Sequence, residues 1–288
     1  MHYNKIRELI EKAEKEDKKI SQIVISEEMD EREIGREAVI DEMKENLKIM
    51  RESIEEGLIP GRKSATGLTG GEALTLQDSD TALTTPLYKK VIVKALAVAG
   101  VNACMGKVVA GPTAGASGIV PAVLLTLAEE NEIEEEKLID ALFTAGGLGE
   151  IVSKKATLAG AAGGCQAECG VGSAMAAGAA VELLGGSPQQ VGDAFALALK
   201  NLLGLVCDPV AGLVEVPCVK RNGFAASHAL TAVNMALSGI QSVIPPDEVI
   251  QAMMEVGDLL PVSLKETSEA GLAKTETGQK IAEDLQDF

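Results

Sequence analysis

Five cysteines carry most of the chemical potential of this 288-residue sequence: Cys104, Cys165, Cys169, Cys207 and Cys218. Their spacing contains no zinc-finger CxxC pair and no ferredoxin-like run. Spacing alone therefore permits a metal site without choosing its ligands. Context separates the five. Cys207 in VCDPVAG and Cys218 in VEVPC each lie near a proline, Pro209 and Pro217, in a stretch that disfavours regular helix. Cys165 follows Gly163–Gly164 in an equally loop-like setting. Such loops can turn backbone N–H groups toward a thiolate. Cys104 lies in VNACMGKVV, an apolar helical stretch where a free thiol packs as a small hydrophobe. Cys169 comes four residues after Cys165 and would share its helical face, so it competes for a ligand role.

Polar residues in Gly-rich segments suggest a second chemistry, the holding of a carboxylate. PTAGASG sets Thr113, Gly115 and Ser117 just ahead of a helix expected near Gly118, where hydroxyl and backbone donors suit an anion. SATGLTGG offers Ser64, Thr66, Gly67 and Thr69 as a similar nest. Both segments also read as helix caps and tight turns. Lys220 and Arg221, just after Cys218, suit a carboxylate or a partner subunit, and equally a solvated surface. The two histidines are His2 and His228. His228, ten residues past Cys218, is the candidate base, with a satisfied structural histidine as the plain alternative.

The elements that must position these residues are helical. Trp is absent and aromatics are only 2% of residues, so the core must be built from Ala, Leu, Val, Ile and Met. Small residues let helices approach closely, which favours an all-α fold over a β sandwich. Residues 1–60 read as a charged N-terminal helical arm, with apolar faces at Ile6, Leu9, Ile10 and Ala13, then at Ile34, Val39, Met43, Leu47 and Met50. Gly57 and Pro60–Gly61 end it. Residues 61–288 form a Gly- and Ala-rich helical body. Helices are expected at 87–109, 119–131, 133–145, 147–158, 170–184, 187–203, 223–240 and 246–258. Glycines cluster in loops at 64–73, 110–121, 159–174 and 204–223, which suggests ligand-binding turns.

Charge narrows the partners. With 26 basic against 43 acidic residues and a net charge of −17, no basic stripe is available for nucleic acid, and the charge serves solubility. The opening MHYNKIRELIEKAEKEDKK lacks the apolar core of a signal peptide. The longest mainly apolar run, from Ile119 to Ala128, is too short to cross a bilayer. A cytoplasmic protein without a membrane partner is expected, and there five cysteines are thiols or metal ligands more readily than disulfides.

Taken together, SATGLTGGEA, GPTAGASGIVPA, GCQAECGVGSAMAAGA and CDPVAGLVEVPCVKRNGFAASHA resemble the α subunit of iron–sulfur-dependent L-serine dehydratase. The resemblance runs nearly the whole chain, through the tail ETSEAGLAKTETGQKI. It implies an all-helical catalytic part carrying a [4Fe–4S] cluster on Cys165, Cys207 and Cys218, with Cys104 and Cys169 as non-ligands. Three thiolates leave one iron open as a Lewis acid that activates the hydroxyl of L-serine. Deaminating dehydration then yields pyruvate and ammonia. In related single-chain enzymes a C-terminal cysteine caps the fourth iron; this chain ends LQDF, so self-capping is not expected. It also lacks the GPSSSHT-like loop of the β domain, whose histidine takes part in catalysis. The resemblance thus implies a β-subunit partner, a hetero-oligomer, and a main base outside this chain. A pyridoxal phosphate enzyme is not expected, because strand patterning is poor and the candidate lysines lie in charged or helical contexts. The reading from another class is a non-catalytic iron–sulfur sensor or a serine-binding regulatory subunit.

Overall fold

Helix-end signals and small side chains set the architecture. The structure, a computed structural model, describes residues 3–80 and 85–286; His2 lies outside them. The helices run α1 (Ile6–Lys15), α2 (Ile20–Arg32), α3 (Arg36–Gly57), α4 (Glu72–Gln77), α5 (Pro86–Ala103), α6 (Ile119–Glu130), α7 (Glu135–Lys155), α8 (Gly160–Gly163), α9 (Val171–Leu183), α10 (Pro188–Lys200), α11 (Cys218–Leu237), α12 (Pro246–Leu259) and α13 (Glu276–Gln286). A π turn, Gln166–Gly170, leads into α9. Among the described residues there is no strand, only a bridge between Cys207 and Lys265, so the all-α expectation holds. No helix among them is long and apolar enough to cross a membrane.

The centre of the molecule is α9. Its sequence VGSAMAAGAAVEL has no bulky face, and every one of its residues is buried. Such a helix lets neighbours approach on all sides. Helices α6, α7, α10 and α11 pack around it. The apolar faces of α1, α2 and α3 join this same core.

Helices α1 and α2 are fastened by two carboxylates at their N-termini. Asp247, in the first turn of α12, accepts the backbone N–H groups of Ile6 (2.9 Å) and Arg7 (3.0 Å) at the start of α1. Glu182 of α9, buried, accepts those of Ile20 (2.8 Å) and Ser21 (3.2 Å) at the start of α2, and the Thr144 hydroxyl at 2.8 Å. Each carboxylate satisfies amides that a helix cannot pair internally and meets the positive end of its dipole.

Several boundaries differ from the sequence expectation. Of the apolar positions from Ile34 to Met50, those from Val39 onward lie on α3, while Ile34 precedes it, because Glu33 turns left-handed at φ 53° after α2 and α3 starts at Arg36. The segments expected at 133–145 and 147–158 form the single helix α7; Gly147, Leu148 and Gly149 are buried, and packing outweighs the helix cost of glycine. Helix α5 ends at Ala103, short of 109, with Met105 left-handed at φ 60°. Most consequential, α11 begins at Cys218 and not at 223. Pro217 stands immediately before it, where proline's missing N–H costs the helix nothing. The loop expected over 204–223 therefore ends at Cys218, which occupies a helix start.

Candidate active site

Three segments bring Cys165, Cys207 and Cys218 together. Cys165 joins α8 to the π turn. Cys207 lies in the extended segment between α10 and α11, and Cys218 opens α11. Cys165 and Cys207 are buried and Cys218 is half-buried. The sulfurs are near enough for their charges to act on one another. Burial pushes the Cys218 thiol up to about 12, with the charge of Cys165 adding to the effect. Burial raises Cys207 as well, reinforced by Glu168, Cys165 and Cys218.

Cys165 and Cys169, the rivals by spacing, are chemically unequal. The Cys169 thiol hydrogen-bonds to the Cys165 sulfur, which lowers the Cys165 pKa. The charge of Arg221 lowers it further. The same hydrogen bond and deep burial push Cys169 well up. Cys165 is thus the more acidic thiol of the pair and Cys169 the less acidic. Cys104 caps α5 and lines a small cavity with Gly57 and Glu72 that none of the other cysteines lines.

Arg221 is the cation at the centre. Its guanidinium donates to the Val206 carbonyl (2.9 Å) and to Asp208 (2.9 Å), and it also hydrogen-bonds Cys165. Burial works against its charge, but Cys165 and Asp208 outweigh that and hold its pKa up. Lys220 points elsewhere, pairing with Glu72 at 2.6 Å on the surface.

The segment around Cys207 is wrapped by the C-terminal stretch. Cys207 N–H donates to the Leu264 carbonyl (2.9 Å), and Glu266 N–H donates to the Cys207 carbonyl (2.7 Å). The Ser268 hydroxyl donates to the Pro209 carbonyl (2.6 Å), and Asp208 accepts Leu272 N–H (2.8 Å). Only glycine fits at 271: its φ is +61°, and a Cβ there would stand 2.4 Å from Asp208 Oδ2.

The two Gly-rich nests have different fates. In the 113–117 loop, Thr113 Oγ1 donates to Glu168 at 2.9 Å. Gly115 lies against that carboxylate, where a Cβ would be 3.4 Å from Oε1. Ser117 is 1% exposed, and its hydroxyl has no hydrogen-bond partner among the described residues. Glu168 sits between this loop and Cys207, and burial raises its pKa. In the 64–69 loop the hydroxyls are already engaged: Ser64 (2.6 Å), Thr66 (2.6 Å) and, more weakly, Thr69 (3.5 Å) all donate to Glu215 Oε2. Gly67 supplies the turn of that loop at φ +73°. His228 lies on α11 with Nε2 2.9 Å from the Ala198 carbonyl of α10.

Four residues outside the sequence candidates build the site. Gln166, fully buried, donates from Nε2 to the carbonyls of Gly163 (2.8 Å) and Met253 (2.9 Å) and accepts Gly204 N–H at Oε1 (2.9 Å). Asn222, also fully buried, donates to the carbonyls of Gly115 (2.8 Å) and Cys218 (3.0 Å) and accepts Gly118 N–H (3.0 Å). Glu168 and Glu215 complete the set. The signal that could have found them is a polar residue inside an otherwise small or apolar motif, as in GCQAEC and VEVPC.

The donor set suits an iron–sulfur cluster. Three free thiols act on one another, the half-buried Arg221 guanidinium lies within reach of Cys165 and Cys218, and the space beside Cys207 is open because residue 160 is glycine. A Cβ there would lie 3.0 Å from Cys207 Sγ and 2.5 Å from Glu168 Oε2. Among the described residues no three His, Cys, Asp or Glu side chains converge to hold a single metal ion. A cubane asks for something else, since it offers separate iron corners and its thiolates stand apart.

Residues 15–273 match the family described as serine dehydratase alpha chain. A protein of Bacillus subtilis, named "Probable L-serine dehydratase, alpha chain", is 48% identical over 282 residues, covering 97% of this chain and 94% of that protein. The L-serine dehydratase alpha chain of Peptoniphilus asaccharolyticus is 38% identical over 285 residues, 98% of both chains. The L-serine dehydratase of Streptomyces coelicolor is longer: 38% identity extends over 81% of this chain but only 53% of that protein.

Proposed function

The chain belongs to the serine dehydratase alpha chain family, and on that premise we propose that it converts L-serine to pyruvate and ammonia by deaminating dehydration. In this reading Cys165, Cys207 and Cys218 hold a [4Fe–4S] cluster, and the enzyme works in the cytoplasm with a β subunit. The observation that carries it is the approach of three free thiols from three segments, two of them within reach of the Arg221 charge, next to a loop with an unpaired buried hydroxyl. When bound on three thiolates, a cluster supplies a Lewis-acidic iron for the serine hydroxyl.

The chain's own residues do the rest. Arg221 offsets thiolate charge and orients Cys165 and Asp208. Ser117 Oγ and the backbone around Gly115 receive the substrate carboxylate, with Thr113 held in place by Glu168. The hydroxyls of Ser64, Thr66 and Thr69 are occupied by Glu215, so carboxylate binding falls to the 113–117 loop. His228 is engaged by α10, and the acceptor of the Cα proton is assigned to the β partner.

The test is pyruvate release from L-serine by the anaerobically reconstituted chain together with its β partner. Activity that needs both chains is expected. An intact cluster with no activity would sink the enzyme reading, and full activity in this chain alone would remove the partner.

A further inference from the structure

Cys218 opens a helix, and the residues just before it are tied to a distant loop. Glu215 is 5% exposed, and among the described residues its side-chain partners are hydroxyls and not cations. All three hydroxyl bonds from Ser64, Thr66 and Thr69 go to one oxygen, Oε2. The loop that presents them is closed on itself: Ser64 N–H donates to the Thr69 carbonyl (3.0 Å), Gly67 N–H to the Ser64 carbonyl (3.0 Å), and Leu68 N–H to Thr66 Oγ1 (3.1 Å).

The backbone of Glu215 is equally committed. Its N–H donates to the Leu213 carbonyl (2.8 Å), and its carbonyl accepts Val219 N–H (3.0 Å) in the first turn of α11. A displacement of Glu215 therefore moves the residues on both sides of Cys218. A second tie from the same region, Glu72 to Lys220, is a surface ion pair and contributes little. The buried hydroxyl bonds to a carboxylate dominate.

We infer that Glu215 is a positioning residue for Cys218: the hydroxyl cradle of the 64–69 loop fixes its carboxylate and thereby sets where this thiol is presented to the cluster. The inference rests on the cluster reading for its purpose, but the tie itself can be measured without a cluster.

Three variants test it: Glu215→Ala, the double variant Ser64→Ala/Thr66→Val, and Glu215→Gln, whose amide oxygen can still accept all three hydroxyl bonds. In the cluster-free full chain, alkylation of each cysteine by iodoacetamide is followed by peptide mass spectrometry, with Cys104 and the core Cys169 as internal references. Cys218 is expected to react about tenfold faster in Glu215→Ala and in the double variant, and within about twofold of the parent in Glu215→Gln, as loss or retention of the hydroxyl bonds to residue 215 dictates. After anaerobic reconstitution, the first two variants should also bleach faster than the parent on exposure to a chelator, with Glu215→Gln unchanged. Parental Cys218 reactivity in both disrupted variants overturns the inference. So does an equal acceleration at Cys169, which would mark general loosening. If the parent chain takes up no iron, the cluster reading fails, while the alkylation series still decides the role of Glu215.

Discussion

Gln166→Ala should be among the most damaging single changes near the site. Its side chain is fully buried and makes three hydrogen bonds: two donated by Nε2 at 2.8 and 2.9 Å and one accepted by Oε1 at 2.9 Å. Two carbonyls facing one end and an amide facing the other fix the orientation of the carboxamide. Alanine removes all three bonds and leaves a gap against Gly163 and Gly257. Three net bonds at about 1 kcal/mol each, plus a cavity contribution of similar size, give about 3–5 kcal/mol. In urea this should lower the unfolding midpoint by about 1–1.7 M, for a slope near 3 kcal/mol/M. The cluster-free chain is the right material, because it separates folding from iron binding. The same variant should lose its reconstituted cluster faster, since Gln166 joins the Cys165 turn to α12 and to the segment leading to Cys207. A midpoint shift below about 0.3 M would refute the claim that these bonds hold the site together.

Other perturbations follow from the same geometry. Glu182→Ala strips two amides of α2 and the Thr144 hydroxyl of their acceptor; a loss of about 2–4 kcal/mol is expected by urea denaturation, and no loss would show that the cap is idle. Gly271→Ala forces a Cβ to within 2.4 Å of Asp208 at positive φ, so the stretch 262–274 should become the first site of limited proteolysis; an unchanged digestion pattern would contradict this. Asp247→Ala should fray α1, lowering amide protection at Ile6 and Arg7 in hydrogen exchange while leaving α9 protected.

What the sequence could tell was local. The capping box Ser187–Pro188–Gln189–Gln190 announces α10, and Ser187 Oγ does accept Gln190 N–H while Gln190 Oε1 accepts Ser187 N–H. Pro246, at the first position of α12, marks that helix start by its fixed φ instead. The all-helical class followed from the small-residue composition, and α9 is the element that uses it. Interactions between distant segments were illegible. Ser64 and Glu215 are 151 residues apart, and neither carries a mark that the two meet. Spacing left Cys165 and Cys169 equivalent; the Arg221 charge and the direction of the thiol hydrogen bond make them different. The glycines of α7 misled for a related reason, since their helix cost is a local quantity and their burial is not.

The central claim is that Cys165, Cys207 and Cys218 together hold a cluster. It is tested most directly by iron and sulfide analysis, with visible absorbance, of anaerobically reconstituted Cys→Ala variants at all five cysteine positions. The account predicts iron and sulfide in the proportions of a cubane for the parent chain and for the Cys104 and Cys169 variants, with loss at 165, 207 and 218. A cluster retained in Cys207→Ala, or lost in Cys169→Ala while the chain remains folded, would contradict it.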